Sequence, residues 1–254
     1  MTRGRREGDE RATEASDLLR ERFRLKETIV TITAQERSHL EAAVGEIAIQ
    51  RALLEEFIRS DPFFLVTLEP YDLPAKDAPL IVREMARAAW AVGIGPMSSV
   101  AGTIARFALE AMIGAGADHA VVDNGGDVAL VCDRPLLMGI YAGPSPLKDL
   151  AFEIPPRKKS LGICTSSGTV GPSISFGDAD AAVVVSEDVS LADAAATALG
   201  NAVGEASPLA DSFRAVAVPG VAGALVIRGE EMALFGALPP LRRARLRPEL
   251  ITRG

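Results

Sequence analysis

The feature that most constrains the fold of this chain is a series of short apolar segments, separated by turn residues, that fills its second half. Short runs of this kind, bounded by Gly, Pro, Asn and Asp, are typical of strands. The helical segments are grouped rather than alternating strictly with the strands, which predicts an α+β fold with a mostly antiparallel sheet and helices packed on it. The predicted strands of the second half read AVVD, DVALVC, LLMGIYAG, LAFEIP, LGICTS, AAVVVS, FRAVAVP, GALVIR and MALFG, and ETIVTIT and FFLVTLEP precede them.

Four segments between and around these strands predict helices. Apolar residues recur at three- and four-residue steps from Leu40 to Ile58, which indicates an amphipathic helix that ends at Asp61-Pro62. The other three helices read LIVREMARAAWAVG, VAGTIARFALEAMIGAG and LADAAATALGNAV. The last two are rich in small residues, which favours close packing against the sheet or against another subunit, so a homo-oligomer is compatible with the sequence.

Charge patterning divides the chain into one α+β domain, residues 26–240, between two charged ends. Residues 1–25 mix both signs and predict a mobile tail. Residues 241–254 are rich in arginine and predict a basic, frayed terminus, with a phosphate-facing arm as the alternative.

Several functional classes are disfavoured by composition. The net charge of −7 argues against nucleic-acid binding. The sequence has neither an apolar run of about 18 residues nor an apolar leader, so we expect a cytoplasmic protein without a membrane partner. Cys132 and Cys164 lie in apolar runs and form no zinc pattern, which predicts buried free thiols. With only His39 and His119 and no nucleophile elbow, a serine hydrolase is also disfavoured.

Two polar, glycine-containing stretches could hold an anion. Ser98 and Ser99, in GPMSSVAG, stand where a helix begins, and the free amides of a helix N-terminus bind phosphate. The alternative is an ordinary helix cap. Asn124, Gly125, Gly126 and Asp127 predict a tight hairpin turn, and the same loop could form a backbone cradle for a phosphate.

Two further stretches offer side-chain oxygens. Thr165, Ser166, Ser167 and Gly168 end a strand, and their hydroxyls could bind a phosphate or a sugar. In SLADAAATALGN, Ser190 and Asp193 fit a capping box. The alternative reading is a site for Mg²⁺, because Asp193 and Thr197 share one helix face and Mg²⁺ prefers oxygen ligands.

Taken in order, the four stretches resemble the motifs of the ApbE flavin transferase superfamily. Its members have a glycine-rich helix start, then V-x-x-G-G-D, a T-S-G strand end and a helix with A-D-A-x-A-T-A-L. This chain reads GPMSSVAGTIA, VVDNGGDVAL, ICTSSGT and SLADAAATAL in those places, over about residues 90–205.

The resemblance implies a fold related to the T-fold, with Mg²⁺ ligated by Asp193 and Thr197. It also implies that the chain acts as a transferase on the pyrophosphate of FAD, moving FMN onto a Thr or Ser of a partner protein. The small phosphorylated ligand, FAD or FMN, would then contact the serines at 98 and 99, the 124–127 turn and the 165–168 strand end.

The chain departs from the pattern of typical transferases at two places. The first motif has no lysine, and the histidine of the H-I-I-D-P segment is missing. In these departures the chain resembles a shorter, cytoplasmic ApbE-like subgroup. Some members of that subgroup are associated with homocysteine biosynthesis. A non-catalytic accessory protein and a structural oligomer without ligand are therefore the alternatives to an enzyme.

Overall fold

The computed structural model describes residues 17–167, 177–245 and 252. Within these residues, eleven strands and six helices follow one another, together with two short 3₁₀ turns at Pro96–Ser99 and Phe213–Ala215. The helices are α1 (Arg37–Ser60), α2 (Phe63–Val66), α3 (Leu80–Ala91), α4 (Val100–Gly114), α5 (Val189–Ala202) and α6 (Leu209–Ser212). The strands are β1 (Leu19–Leu25), β2 (Thr28–Ala34), β3 (Ala120–Asn124), β4 (Asp127–Cys132), β5 (Leu136–Ile140), β6 (Leu150–Ile154), β7 (Arg157–Ser166), β8 (Ala181–Ser186), β9 (Val221–Arg228), β10 (Glu231–Gly236) and β11 (Leu241–Arg243).

The strands form two sheets, and every pair of neighbouring strands in them is antiparallel. The large sheet has eight strands in the order β1-β2-β3-β4-β7-β8-β9-β10, and the small one has three in the order β11-β6-β5. This arrangement of antiparallel sheet and helices confirms the α+β prediction.

The large sheet is covered on both faces, and this explains why its central strands are apolar almost throughout. One face packs against α1, α4 and α5, with α3 packed on these helices, and the opposite face packs against the small sheet. In β8 the side chains of Ala182 and Val184 enter the helix-side core, while those of Val183 and Val185 enter the core between the sheets. A strand buried on both faces has no polar side, so its sequence reads as a continuous apolar run.

The β3–β4 turn forms as the sequence predicts. Asn124 pairs with Asp127, and the two central residues, Gly125 and Gly126, have φ values of 72° and 106°. A two-residue hairpin turn with positive φ at both central positions is the geometry that favours glycine. The turn brings Asn124 and Asp127 to one end of the sheet, on its helix-covered face.

Two predicted strands are wrong. FFLVTLEP contains the short helix α2, in which Asp61 Oδ1 accepts a hydrogen bond from the Phe63 amide at 3.1 Å. The ring of Phe64 packs edge-on against Phe57 and Tyr71, so tertiary aromatic contacts override the local strand preference. FRAVAVP begins with the 3₁₀ turn, and Phe213 stacks on Phe235 of β10 instead of pairing in the sheet.

Charge patterning suggests a domain of residues 26–240. The first paired strand begins at Leu19 and the last ends at Arg243, so the paired strands extend beyond both of these limits. Those limits stay a prediction. Among the described residues, no single helix has the length and apolar composition of a membrane span. Two consecutive helical segments, Leu80–Ala91 and Pro96–Gly114, reach that length and composition only when they are counted together. The chain bends by 105° between them.

Candidate functional site

The four polar stretches converge at one end of the large sheet, under α4 and α5. Asp127 pairs with Cys164 across β4 and β7, next to Thr165. On the helix side, α4 and α5 pack against each other and against these strands. The strand ends and the two helices therefore meet around a common polar centre, although the four sequences are far apart in the chain.

Asp193 is the most deeply buried acidic group of this centre. Its side chain is 6% exposed, and its Oδ2 accepts a hydrogen bond from the Gly102 amide at 2.6 Å. Burial, followed by the neighbouring charge of Asp127, raises the pKa of the Asp193 carboxyl well above its ordinary value.

Gly102 is required for this approach of α4 to α5. A Cβ at that position would lie 2.6 Å from the Asp193 Cβ and 3.0 Å from the Val189 carbonyl oxygen. The glycine of VAGTIA is therefore a packing requirement of the site itself.

Asp127 is half-buried and hydrogen-bonds the side chain of Asp193, so each carboxyl group affects the pKa of the other. Burial, and then the charge of Asp123, raises the pKa of Asp127 to about 7, against the opposing effect of hydrogen bonds from Cys164 and the Thr165 backbone. Among the described residues, the main influences on the pKa values of this pair include no lysine or arginine. Two carboxylates held together without a basic partner are a setting that a bound cation would stabilise.

Thr197 lies one helical turn after Asp193, on the same face of α5. Its Oγ1 lies 3.4 Å from the carbonyl oxygen of Ser98 at the start of α4. Hydroxyl, carbonyl and carboxylate oxygens together make the hard-oxygen donor set that Mg²⁺ prefers, so these residues fit such an ion. Within the described parts of the chain, no three His, Cys, Asp or Glu residues are arranged to hold a metal, so the donors here would include the hydroxyl and the carbonyl.

The two serines before α4 use their hydroxyls locally. Ser98 donates to the Gly95 carbonyl at 2.7 Å, and the fully buried Ser99 donates to the Pro96 carbonyl at 3.0 Å. Their side chains thus stabilise the 3₁₀ turn, and the Ser98 carbonyl is the group that faces Thr197. A ligand contact for Ser98 and Ser99 stays a prediction.

The capping box predicted for Ser190 and Asp193 is wrong. The cap of α5 is Asp188, whose Oδ1 accepts from the Leu191 amide at 3.2 Å. The helix begins earlier than the motif suggests, and this leaves Asp193 inside the helix and free to face Asp127. The Ser190 hydroxyl is buried without a hydrogen-bond partner among the described residues.

Hydrogen bonds on both faces of the sheet hold the hairpin tip in place. Asn124 donates to the Ala101 carbonyl at 3.0 Å, and the Gly126 amide donates to Asp123 Oδ1 at 2.9 Å. On the other carboxylate oxygen, Asp123 accepts from the hydroxyl of buried Thr252 at 2.6 Å. Sequence reasoning missed Asp123 and Thr252 because no local pattern links them.

The strand end after β7 is placed beside this centre. Thr165 is half-buried, and Ser166 and Ser167 are buried. Gly168 lies outside the described residues. Cys132 and Cys164 are free and buried, as predicted, and burial raises the pKa of the Cys164 thiol well above its ordinary value.

A cavity of about 610 Å³, which sequence reasoning also missed, opens beside the hairpin tip. It lies between α1 and α4 and is bounded by the β1–β2 turn, and we call it the α1–α4 cavity. Ala101 and Asn124 belong to its wall.

Comparison with known protein families gives one clear match. A family model described as "AbpE bacteria" matches residues 11–218. A UPF0280 protein of Methanothrix thermoacetophila is 56% identical over 237 residues, which cover 93% of this chain and 100% of that protein. A UPF0280 protein of Methanosarcina barkeri is also 56% identical, with 94% of this chain and 95% of that protein covered.

Solved structures show the same fold at low sequence identity. The apo form of the Pseudomonas stutzeri flavinyl transferase ApbE superposes with a TM-score of 0.56 at 14% identity, covering 87% of this chain and 97% of that one. The flavin transferase ApbE of Vibrio cholerae gives a TM-score of 0.51 at 12% identity, with the same shares covered. The predicted ApbE-like architecture is confirmed.

Proposed function

Because this chain belongs to the AbpE bacteria family, within the ApbE-like superfamily, we propose that it binds a flavin nucleotide with the help of Mg²⁺ at the Asp127–Asp193 pair. The observation that carries the proposal is this pair itself. Two hydrogen-bonded carboxyl groups are kept close by burial and fixed backbone contacts, without a basic side chain among the main influences on their pKa values. A site of this kind is costly unless a positive charge compensates it.

Four groups of the chain would hold the ion: the carboxylates of Asp127 and Asp193, the Thr197 hydroxyl and the Ser98 carbonyl. When bound there, Mg²⁺ would supply positive charge that offsets the charge of a pyrophosphate. The solved relatives are flavin transferases, and this supports FAD or FMN as the phosphorylated ligand.

The remaining residues of the site would position the phosphate groups. The Gly125 backbone lies in open space, because nothing stands within 4 Å of the place where a Cβ would be. A phosphate could therefore approach this amide closely. The Gly126 amide already donates a hydrogen bond to Asp123. Of the two glycines, Gly125 is therefore the one whose amide would bind the phosphate.

The enzyme form of the proposal is a transferase that acts on the FAD pyrophosphate. A hydroxyl oxygen of a partner protein would form a bond to the FMN phosphorus, and the bond between that phosphorus and AMP would break. The hydroxyl proton would pass to a base, and AMP would leave with the bridging oxygen. The test for this form is release of AMP from FAD in the presence of Mg²⁺.

Flavin binding without transfer is the second candidate, and a specific observation favours it. The helix start contains no lysine, and neither histidine lies at the carboxyl pair: His39 is on α1, and His119 bonds Asp133 at 2.7 Å at the far end of β3. A protein of this kind would bind FMN or FAD, release no AMP, and act as an accessory to another enzyme. The proposed role in homocysteine biosynthesis belongs to this form.

The binding experiment is a fluorescence titration of FAD and of FMN into the purified protein, with and without Mg²⁺. We expect Mg²⁺-dependent binding that Asp193→Asn reduces at least tenfold. The matched control is Asp211→Asn, since Asp211 is an exposed carboxylate on α6 that pairs with Arg214 away from the site. Unchanged binding in Asp193→Asn would overturn the proposal.

A further inference from the structure

Cys164 lies directly opposite Asp127 in the large sheet, where the two residues are cross-strand partners of β7 and β4. Side chains of such a pair stand on the same face of the sheet, with their Cβ atoms about 4.5–5.5 Å apart. That face is the one under the helices, because the Cys164 side chain belongs to the helix-side core. The thiol is therefore next to the carboxyl pair, although the proposed function gives it no role.

The position of the Cys164 thiol is fixed by the start of α5. The side chain is fully buried, and its Sγ lies 3.8 Å from the carbonyl oxygen of Val189 in the first turn of that helix. This close approach requires Gly162, two residues before Cys164 on β7, because a Cβ there would lie 2.8 Å from the Val189 Cα. The thiol is thus held between the helix start and Asp127.

The single hydrogen of the thiol has two acceptors within reach, the Val189 carbonyl and the Asp127 carboxylate. A hydrogen bond to an ionised acceptor is the stronger of the two, so the carboxylate is the favoured partner. The Thr165 backbone also donates to Asp127. Both donors from β7 are uncharged, so they hold the carboxylate without neutralising the charge that a cation would use.

We propose that Cys164 is a positioning residue of the metal site: its thiol donates to the Asp127 carboxylate and holds it toward Asp193, so that both carboxylates face one divalent cation. This inference rests on the proposed function and adds to it the group that orients Asp127. The sulfur itself does not ligate the ion. Hydrogen bonds that orient a ligating carboxylate commonly contribute tenfold or more to metal affinity.

The test uses three substitutions of Cys164. Cys164→Ser keeps a donor, Cys164→Ala removes it, and Cys164→Val removes it while filling the volume. The matched control is Cys132→Ala, since Cys132 is also a buried free thiol of the large sheet, but its side chain lies in the core between the sheets, 3.4 Å from the Pro155 carbonyl. Binding of Mn²⁺ alone, as a probe for Mg²⁺, is measured by electron paramagnetic resonance of the free ion.

We expect Cys164→Ala and Cys164→Val to weaken Mn²⁺ binding about tenfold, with Cys164→Ser and Cys132→Ala close to the unaltered protein. If the thiol only fills space, the order is reversed: Cys164→Val restores binding and Cys164→Ser does not. That order, or unchanged binding in Cys164→Ala, would show the inference to be wrong.

The absorption spectrum of the Co²⁺-loaded protein tests whether the sulfur is a ligand. We expect no thiolate-to-cobalt charge-transfer band. A band that disappears in Cys164→Ser would make Cys164 a direct ligand and overturn the positioning role.

Asp193→Asn separates this inference from the proposed function. If that variant loses Mn²⁺ while Cys164→Ala keeps it, the metal site stands and only the role of the thiol fails. If Asp193→Asn binds Mn²⁺ normally, or the unaltered protein binds none, the proposed function fails and the inference with it. If Cys164→Ala unfolds, as judged by its melting temperature, the comparison of Cys164→Val with Cys164→Ser decides.

Discussion

At the scale of single residues, Gly102 controls the distance between α4 and Asp193. Gly102→Ala places a methyl group against Asp193 and should destabilise the fold by about 1–3 kcal/mol, because the backbone must shift to admit it. Nucleotide binding should fall with it. Gly45→Ala is the control: Gly45 is an exposed glycine on α1 with open space around it, and this change should stabilise the fold by about 0.5–1 kcal/mol. Equal effects of the two changes in chemical denaturation would contradict the packing argument.

The carboxyl pair makes stability depend on pH. An unfolded Asp titrates near pH 4, while the pKa of Asp127 in the fold is about 7. Between these values the folded protein keeps a proton that the unfolded chain has released. The free energy of unfolding should therefore be highest below about pH 4 with respect to this group, and should fall as the pH rises to about 7.

The measurement is urea unfolding from pH 4.5 to 8 without divalent cations. Asp127→Asn should remove this part of the decline, since an amide does not titrate. Asp211→Asn, an exposed change far from the pair, should leave the profile as it is. A decline of the same size in Asp127→Asn would show that other groups cause it.

At the scale of elements, the β3–β4 hairpin is held by a residue from the end of the chain. Thr252 donates to Asp123 across a sequence separation of 129 residues, and its oxygen lies 2.8 Å from the Thr31 hydroxyl, which can donate to it. Thr252→Val should cost about 0.5–1.5 kcal/mol, because the half-buried Asp123 carboxylate loses a donor. Hydrogen exchange in the hairpin should become faster, most clearly at the Gly126 amide.

Thr33→Val provides the control for this prediction, since Thr33 lies two residues from Thr31 on the same strand. We expect hairpin exchange to remain unchanged in it. If hydrogen exchange in the hairpin of Thr252→Val is as slow as in the unaltered protein, the tip is held by its own turn and by Asn124 alone.

The element-scale predictions from sequence succeeded where the signal is local. The glycine pair at the hairpin tip is readable because a two-residue turn needs positive φ at both positions. The helix α1 is readable because its apolar stripe repeats over many turns. The helix α2 was predicted as a strand because its four residues are apolar and aromatic, and only packing of Phe64 on Phe57 and Tyr71 decides its form.

At the scale of the whole molecule, ligand binding should stabilise the fold. A ligand at about 100 times its Kd adds about 2.7 kcal/mol if it binds only the folded state. FAD with Mg²⁺ should therefore raise the melting temperature measured by calorimetry, and FAD or Mg²⁺ alone should raise it less. The increase should vanish in Asp193→Asn and persist in Asp211→Asn. An equal increase with and without Mg²⁺ would argue against an ion at the carboxyl pair.

The sequence by itself determined the fold class, most strand and helix positions, the buried thiols and the motifs that mark the family. These depend on periodicity, on turn residues and on short patterns, which are properties of neighbouring positions. Tertiary structure alone decided that the Asp127 and Asp193 carboxyl groups meet and that Asp188 and not Ser190 caps α5. It also decided that Thr252 bonds Asp123 and that a cavity opens beside Ala101. Each of these depends on groups far apart in the chain, and their burial and mutual charge exist only after the helices have packed onto the sheet.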